Sequence, residues 1–205
     1  MRAGIGWQGK NGNVLLPDAG SWFVLGAVVT DADYGADAAA ARPLADGCGT
    51  CTSCYQGCPT GAIVADGVVD AARCLAWLLQ AEGPFPVEFR AALGTRIYGC
   101  DDCQITCPQS SDEHISAYGD EIRALDLVEL LTCDDERLLE LVGRWYIPQR
   151  DLRYVRRNAL VALGNAQIPA AQQQRVEQVL ADYLAADEML AEHARWAADR
   201  LGVSV

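Results

Sequence analysis

Residues 48–59 read CGTCTSCYQGCP and residues 98–108 read YGCDDCQITCP. The first stretch is C-x2-C-x2-C-x3-C-P, and the second is C-x2-C-x3-C-P. In this spacing three thiolates each take one iron of a cube, while the cysteine before proline reaches a second cube. Two [4Fe–4S] cubes need eight thiolates. The two runs supply seven, and Cys74, in ARCL, is the natural eighth. The crossed pattern groups Cys48, Cys51, Cys54 and Cys107 around one cluster, and Cys58, Cys74, Cys100 and Cys103 around the other. Cys133 is left over in an apolar helical stretch, where it reads as a small buried hydrophobe.

Two other chemistries use clustered cysteine. Paired CxxC motifs hold structural zinc, but zinc explains neither the Cys-Pro closing both runs nor the three-residue gap between Cys54 and Cys58. Disulfides suit small secreted domains. The start of the chain lacks the charged-then-apolar pattern of a secretory leader, so reduced thiols and a cytoplasmic location are expected.

The 205 residues are 51% hydrophobic, enough for one medium domain or two small ones. No stretch approaches the twenty or so apolar residues of a membrane span, so no membrane association is expected. The formal net charge is −12, which argues against non-specific nucleic-acid binding over the whole surface. Arg144, Arg150, Arg153, Arg156 and Arg157 nevertheless crowd one segment, with Asp151 among them, and this marks a candidate local polyanion site.

Around the cysteine runs, residues 4–16 are glycine-rich and then apolar, suited to tight turns or close approach to a ligand. Residues 21–30, SWFVLGAVVT, read as a buried strand, and 31–47 as a loop. Apolar spacing predicts helices over 70–82 and 86–94, separated by Pro84 and Pro86. Further helices are expected over 126–131, 134–142, 152–163 (stopped by Gly164 and Asn165), 175–185 and 188–201. Short helices with brief loops suggest a HEAT-like pair or small bundle.

The motifs RAGIGWQGKN (2–11), AGSWF (19–23), the 48–59 run, Cys74, YGCDDCQITCP (98–108) and RNALVALGN (157–165) together resemble the epoxyqueuosine reductase family, in that family's order. The resemblance implies an α+β chain in three parts: a remnant of an α/β cobalamin-binding domain (1–45), a dicluster ferredoxin-like module (46–115) and a HEAT-like helical region that helps hold tRNA (116–205). It implies an oxidoreductase in which electrons pass through two [4Fe–4S] clusters to cobalamin and reduce epoxyqueuosine to queuosine in the anticodon loop. A reductant such as ferredoxin or flavodoxin would supply the electrons, and a monomer is expected. The family's proton-donating aspartate lies upstream of the segment matched here, so no residue takes the catalytic role. The chain is expected to be the C-terminal portion of a longer enzyme.

By the same resemblance, Trp7, Gly9, Lys10, Asn11, Asp101 and Asp102 are expected on the cobalamin side. Arg153, Arg156, Arg157 and Asn158 are expected on tRNA, since a guanidinium fork pairs well with phosphate oxygens. The bland alternatives are a glycine turn around a packed tryptophan, an acidic turn capping a cluster loop, and salt bridges to acids such as Glu136 and Glu140. Gln104 is placed either to donate to a cluster sulfur or to face solvent. His114 and His193 read as surface residues, and Trp145 and Tyr146 as helix packing. The rival to the enzyme is a stand-alone dicluster electron carrier, which has no need of the glycine loop, the 21–30 run or the arginine helix.

Overall fold

A computed structural model of the chain describes residues 4–33, 44–110 and 125–204. Arg2, Ala3, His114 and the expected boundary at 115/116 lie outside the described residues. In chain order the elements are β1 (Trp7–Gln8), β2 (Val14–Leu15), α1 (Ser53–Gly57), β3 (Ile63–Ala65), β4 (Val68–Val69), α2 (Leu75–Leu78), α3 (Val87–Leu93) and α4 (Asp102–Ile105). The longer helices follow: α5 (Leu127–Thr132), α6 (Asp135–Val142), α7 (Arg153–Asn165), α8 (Gln173–Leu184) and α9 (Glu188–Leu201). The mixture is mostly helical with few strands.

The chain divides into two compact units, 1–70 with 101–122, and 71–100 with 123–205. This differs from the linear division expected at 45/46 and 115/116. Residues 71–100 pack with the C-terminal helices because side chains of α7 hydrogen-bond their backbone.

The first unit is built from short elements. The antiparallel ribbons β1–β2 and β3–β4 each carry only a few paired residues. The Gly67 amide donates to the Lys10 carbonyl, which ties the second ribbon to the glycine loop. The run 21–30 corrects the expectation of a buried strand. It forms no strand, and Val24, Val28 and Val29 are 96%, 92% and 97% exposed. A strand needs a neighbouring ladder for its backbone groups, and none of the described residues supplies one. Its composition is that of a strand, but its setting is not.

The second unit owns the larger core. Leu130, Leu138, Val142, Leu160, Leu180 and Ala194 are fully enclosed in one apolar cluster. Asp126, Asp134 and Asp187 cap α5, α6 and α9, their carboxylates accepting from the first free amides of each helix. The helix expected over 70–82 is instead a turn of 3₁₀ helix at Ala71–Arg73 and then α2. The extended Cys74 stands between them, its carbonyl accepting from Trp77 and Leu78. Gly164 does not stop α7, which runs on to Asn165. It sits where α9 crosses: a Cβ there would lie 2.7 Å from the Trp196 ring and 2.9 Å from Ala197 Cα.

His193 is fully buried on α9, contrary to the surface position expected. Carbonyls only accept, so Nδ1 donates to Met189 O at 2.6 Å, and Nε2 accepts from the Phe85 amide and from Arg90 Nη2. Arg90 also pairs with Glu192 at 2.7 Å. Burial holds the imidazole below its ordinary pKa; Arg90 and Arg157 add to this, while the Met189 carbonyl and Glu192 oppose it.

Two outcomes follow from this packing. Gly164→Val should lower stability by about 1–3 kcal/mol through overpacking, read by urea unfolding, whereas the same change at Gly26, where a Cβ meets nothing within 4 Å and the backbone is not left-handed, should not act sterically. For His193 the folded pKa is the depressed one, so the unfolded chain binds its proton first. Its contribution is therefore full above about pH 6.5 and declines as pH falls from there toward the folded pKa. Unfolding midpoints of wild type should drop across that window more steeply than those of His193→Gln; parallel curves would refute the assignment.

Candidate functional site

Four thiols of the first unit gather on one pocket. Cys48, Cys51, Cys54 and Cys107 line it together with Lys10, Asn11, Leu15 and Gly47. The Cys51 amide bonds the Cys48 carbonyl in a tight turn, and α1 then carries Cys54 inward. Cys107 arrives from α4, its amide bonded to Gln104 O at 3.1 Å. The end of α1 can approach the turn after α4 because residue 57 is glycine; a Cβ there would meet the Thr106 side chain at 2.5 Å. Among the described residues, no three His, Cys, Asp or Glu side chains converge on a single-ion site. Thiols ranged about a pocket suit a cube, whose irons each take one cysteine, better than zinc, which draws its thiolates in to about 2.3 Å. The donor set therefore fits a [4Fe–4S] cluster.

Hydroxyls and amides already point at the sulfurs. Ser53 Oγ lies 3.4 Å from Cys51 Sγ. The hydroxyl and amide of Ser53 lower the Cys51 pKa against burial, with a smaller contribution from Lys10. Burial raises the Cys54 pKa. At Cys58 burial acts upward, but the Ala62 and Thr60 amides and the Thr60 hydroxyl outweigh it, so the net direction is down. The Ala62 amide donates to Cys58 Sγ at 3.2 Å. Ser53 and Thr60 were not singled out from sequence, although each stands two residues after a cysteine of the run.

The glycine loop lies along this module. Trp7 is buried with no partner for its indole N–H. Asn11 is buried; its amide donates to Cys103 O and its oxygen accepts from the Asn13 amide. Lys10 is mostly covered and meets the exposed Asp66 at 3.6 Å, a carboxylate also held by Tyr55 OH. Gly9 packs under Asn11 and Leu15. Asp101 accepts from Gln104 Nε2, and Gln104 Oε1 accepts from Ser21, so Gln104 serves loop structure rather than a sulfur. Asp102 opens α4.

The remaining assigned thiols fall in both units: Cys58 and Cys103 in the first, Cys74 and Cys100 in the second. Cys100 packs on the small apolar cluster that includes Leu75 and Leu78. Cys133 is the C-cap of α5 and packs half-buried against the core.

The four expected tRNA contacts separate. Arg153 is exposed, paired with Asp151 at 2.7 Å and with Asp187 at 3.9 Å. Arg156 is largely covered, bonded to Asp135 and to Cys133 O. Arg157 and Asn158 are fully buried, and their polar atoms bond backbone carbonyls and each other. These two have no face to offer a phosphate, which corrects the expectation. Tyr146 is exposed, while Trp145 stacks on Tyr98 with centroids 4.6 Å apart.

The family model of a 4Fe-4S double cluster binding domain matches residues 47–110. Epoxyqueuosine reductase of Vibrio cholerae is 39% identical over 206 residues, covering 96% of this chain and 53% of that protein. The solved epoxyqueuosine reductase from Bacillus subtilis superposes with a TM-score of 0.75 at 28% identity, covering 98% of this chain and 53% of that one. A structure of epoxyqueuosine reductase with an epoxyqueuosine-modified tRNA-Tyr stem loop gives 0.75 at 29%, with the same coverage. The chain spans about half the length of the curated relatives it matches.

In the iron-free chain the opposite shifts at Cys51 and Cys54 set a reactivity order, since the thiolate is the nucleophile. Limited alkylation at neutral pH, read by peptide mass spectrometry, should label Cys51 well before Cys54. Ser53→Ala should narrow the gap.

Proposed function

We propose that this chain, a homologue of the epoxyqueuosine reductases over nearly all of its length, works as the electron-transfer and tRNA-facing portion of such an enzyme. In this reading Cys48, Cys51, Cys54 and Cys107 hold one [4Fe–4S] cluster, and Cys58, Cys74, Cys100 and Cys103 hold the other. A reductant of the ferredoxin or flavodoxin class feeds them, in a cytoplasmic monomer. The observation that carries the reading is the pocket where four thiols meet the Lys10–Asn11 loop.

Cobalamin, when bound, supplies the reductive chemistry that side chains lack. Trp7 suits a role beside it, because its buried indole N–H is a donor still without a partner. Asn11 suits a supporting role, its amide already engaged with Cys103 O and Asn13. Gly9, Lys10, Asp101 and Asp102 complete the proposed cobalamin side. On the RNA side the proposal rests on Arg153, with Arg156 beside it. The finer architecture, an α/β remnant at 1–45 and a HEAT-like helical region, is part of the same proposal.

A second reading, a self-contained dicluster electron carrier, draws support from the first unit gathering four thiols around its own pocket. Anaerobic reconstitution separates the two. About eight irons per chain, a spectral response to cob(II)alamin, and tRNA binding whose salt slope flattens in Arg153→Glu are expected of the enzyme portion. About eight irons with neither response would leave the carrier.

A further inference from the structure

The buried pair Arg157–Asn158, displaced from the RNA side, bonds backbone carbonyls between Leu78 and Ile97 instead. We propose that Arg157 and Asn158 are positioning residues that fix the backbone segments carrying the cluster ligands Cys74 and Cys100; this rests on the ligand assignment above.

The two side chains form one device. Asn158 Oδ1 accepts from Arg157 Nε at 3.1 Å and from Nη2 at 2.9 Å, which orients the guanidinium plane. Arg157 then donates to the carbonyls of Leu78 (3.1 Å), Leu79 (3.3 Å), Ala81 (2.8 Å) and Gly83. The amide of Asn158 donates to Leu79 O at 2.8 Å and to Ile97 O at 3.1 Å. Every one of these outside acceptors is a neutral backbone oxygen. A guanidinium buried without a carboxylate loses hydration with little Coulombic return. What it gains is geometry, because its planar fork fixes several carbonyls at once.

The carbonyls it fixes belong to the two cysteine segments. Leu78 ends α2 and Leu79 is its C-cap; helix ends leave carbonyls short of partners, and within its own segment Leu78 O takes only a long 3.3 Å bond from the Ala81 amide. That helix has four residues, too short to hold its own shape in water, and its first hydrogen bonds end on the Cys74 carbonyl. Anchoring its far end therefore sets where Cys74 stands. Ile97 lies three residues before Cys100. Between them, Tyr98 stacks on Trp145, and its hydroxyl accepts from the Tyr146 amide. One clamp thus holds the far end of the Cys74 helix and the approach to Cys100, and Cys100 packs on the apolar cluster containing Leu75 and Leu78.

The test uses the full chain, reconstituted anaerobically and followed by iron content and EPR of the reduced clusters. Wild type should take up about eight irons with two cluster signals; a shortfall here would sink the ligand assignment and the proposal with it. Asn158→Asp removes the amide donor at constant shape, and Arg157→Lys removes the fork but keeps the charge. Val179→Ala, a core truncation elsewhere in the same unit, controls for lost stability alone. The expected result is that Asn158→Asp and Arg157→Lys hold about half the iron, or shift one signal, while the other signal stays as in wild type. Val179→Ala should keep both signals. The proposal is overturned if both clamp variants retain two unchanged signals, or lose both clusters equally. If Arg157→Lys does not accumulate as folded protein, Asn158→Asp decides by the same readings.

Discussion

The guanidinium of Arg157 is the interaction on which the second unit most depends. Segment 74–100 contains a four-residue helix, a seven-residue helix, two prolines and turns, so many of its backbone carbonyls lack partners of their own. Buried carbonyls must find donors. The long helix α7 supplies them through Arg157, Asn158 and Asn165, the last donating to Arg90 O and Gly94 O. Irregular chain is held by side chains from regular chain, and a long helix covered on most of its circumference presents them. The close crossing at Gly164 belongs to the same design, since it brings α9 against α7 and encloses the polar side chains.

The first unit has no such scaffold. Its strands are two or three residues long and α1 has five residues. Isolated ribbons of this size are marginal in water. Its thiols, turn amides and hydroxyls instead converge on a pocket, and a metal group that binds only the folded form adds its binding free energy to stability. Asn11 extends the same economy: one buried amide joins the glycine loop to the backbone of Cys103, so the loop and cysteine run keep a fixed relation without an intervening core.

What was legible in the sequence was local. Cysteine spacing within one or two turns is set by ligand geometry, and Cys48, Cys51, Cys54 and Cys107, which the spacing groups, line one pocket. Helices α5 to α9 announced themselves by apolar period, and α5 and α6 also by an acid at the start, within a few residues at their ends. The failures were of long range. Whether residues 21–30 pair is decided by a neighbouring strand, which their own composition cannot reveal. Whether Arg157 faces solvent or carbonyls is decided by segment 78–83, more than seventy residues away. Arginines at spacings of one, three and four look alike on a helical net, yet Arg153 is exposed and Arg157 is enclosed because α7 is covered on most of its circumference. His193 misled for the same reason: its partners, Phe85 and Arg90, come from a distant stretch.

The charge pattern around α7 also constrains how an acidic chain engages a polyanion. Arg153 does not stand free: Asp151 already holds its guanidinium, and Asp187 lies within 3.9 Å. Exposed pairs of this kind contribute little to stability, about 0–1 kcal/mol, so a phosphate can replace the carboxylate at small cost. The exchange would leave Asp151 exposed beside the phosphate, and that repulsion offsets part of the gain. Binding built from such exchanges is weak at each contact and depends on several phosphates being presented together in the right geometry. A folded RNA hairpin offers that arrangement and a free nucleotide does not, so under the proposed function the shape of the RNA, more than the basicity of the protein, would set the selectivity of this face.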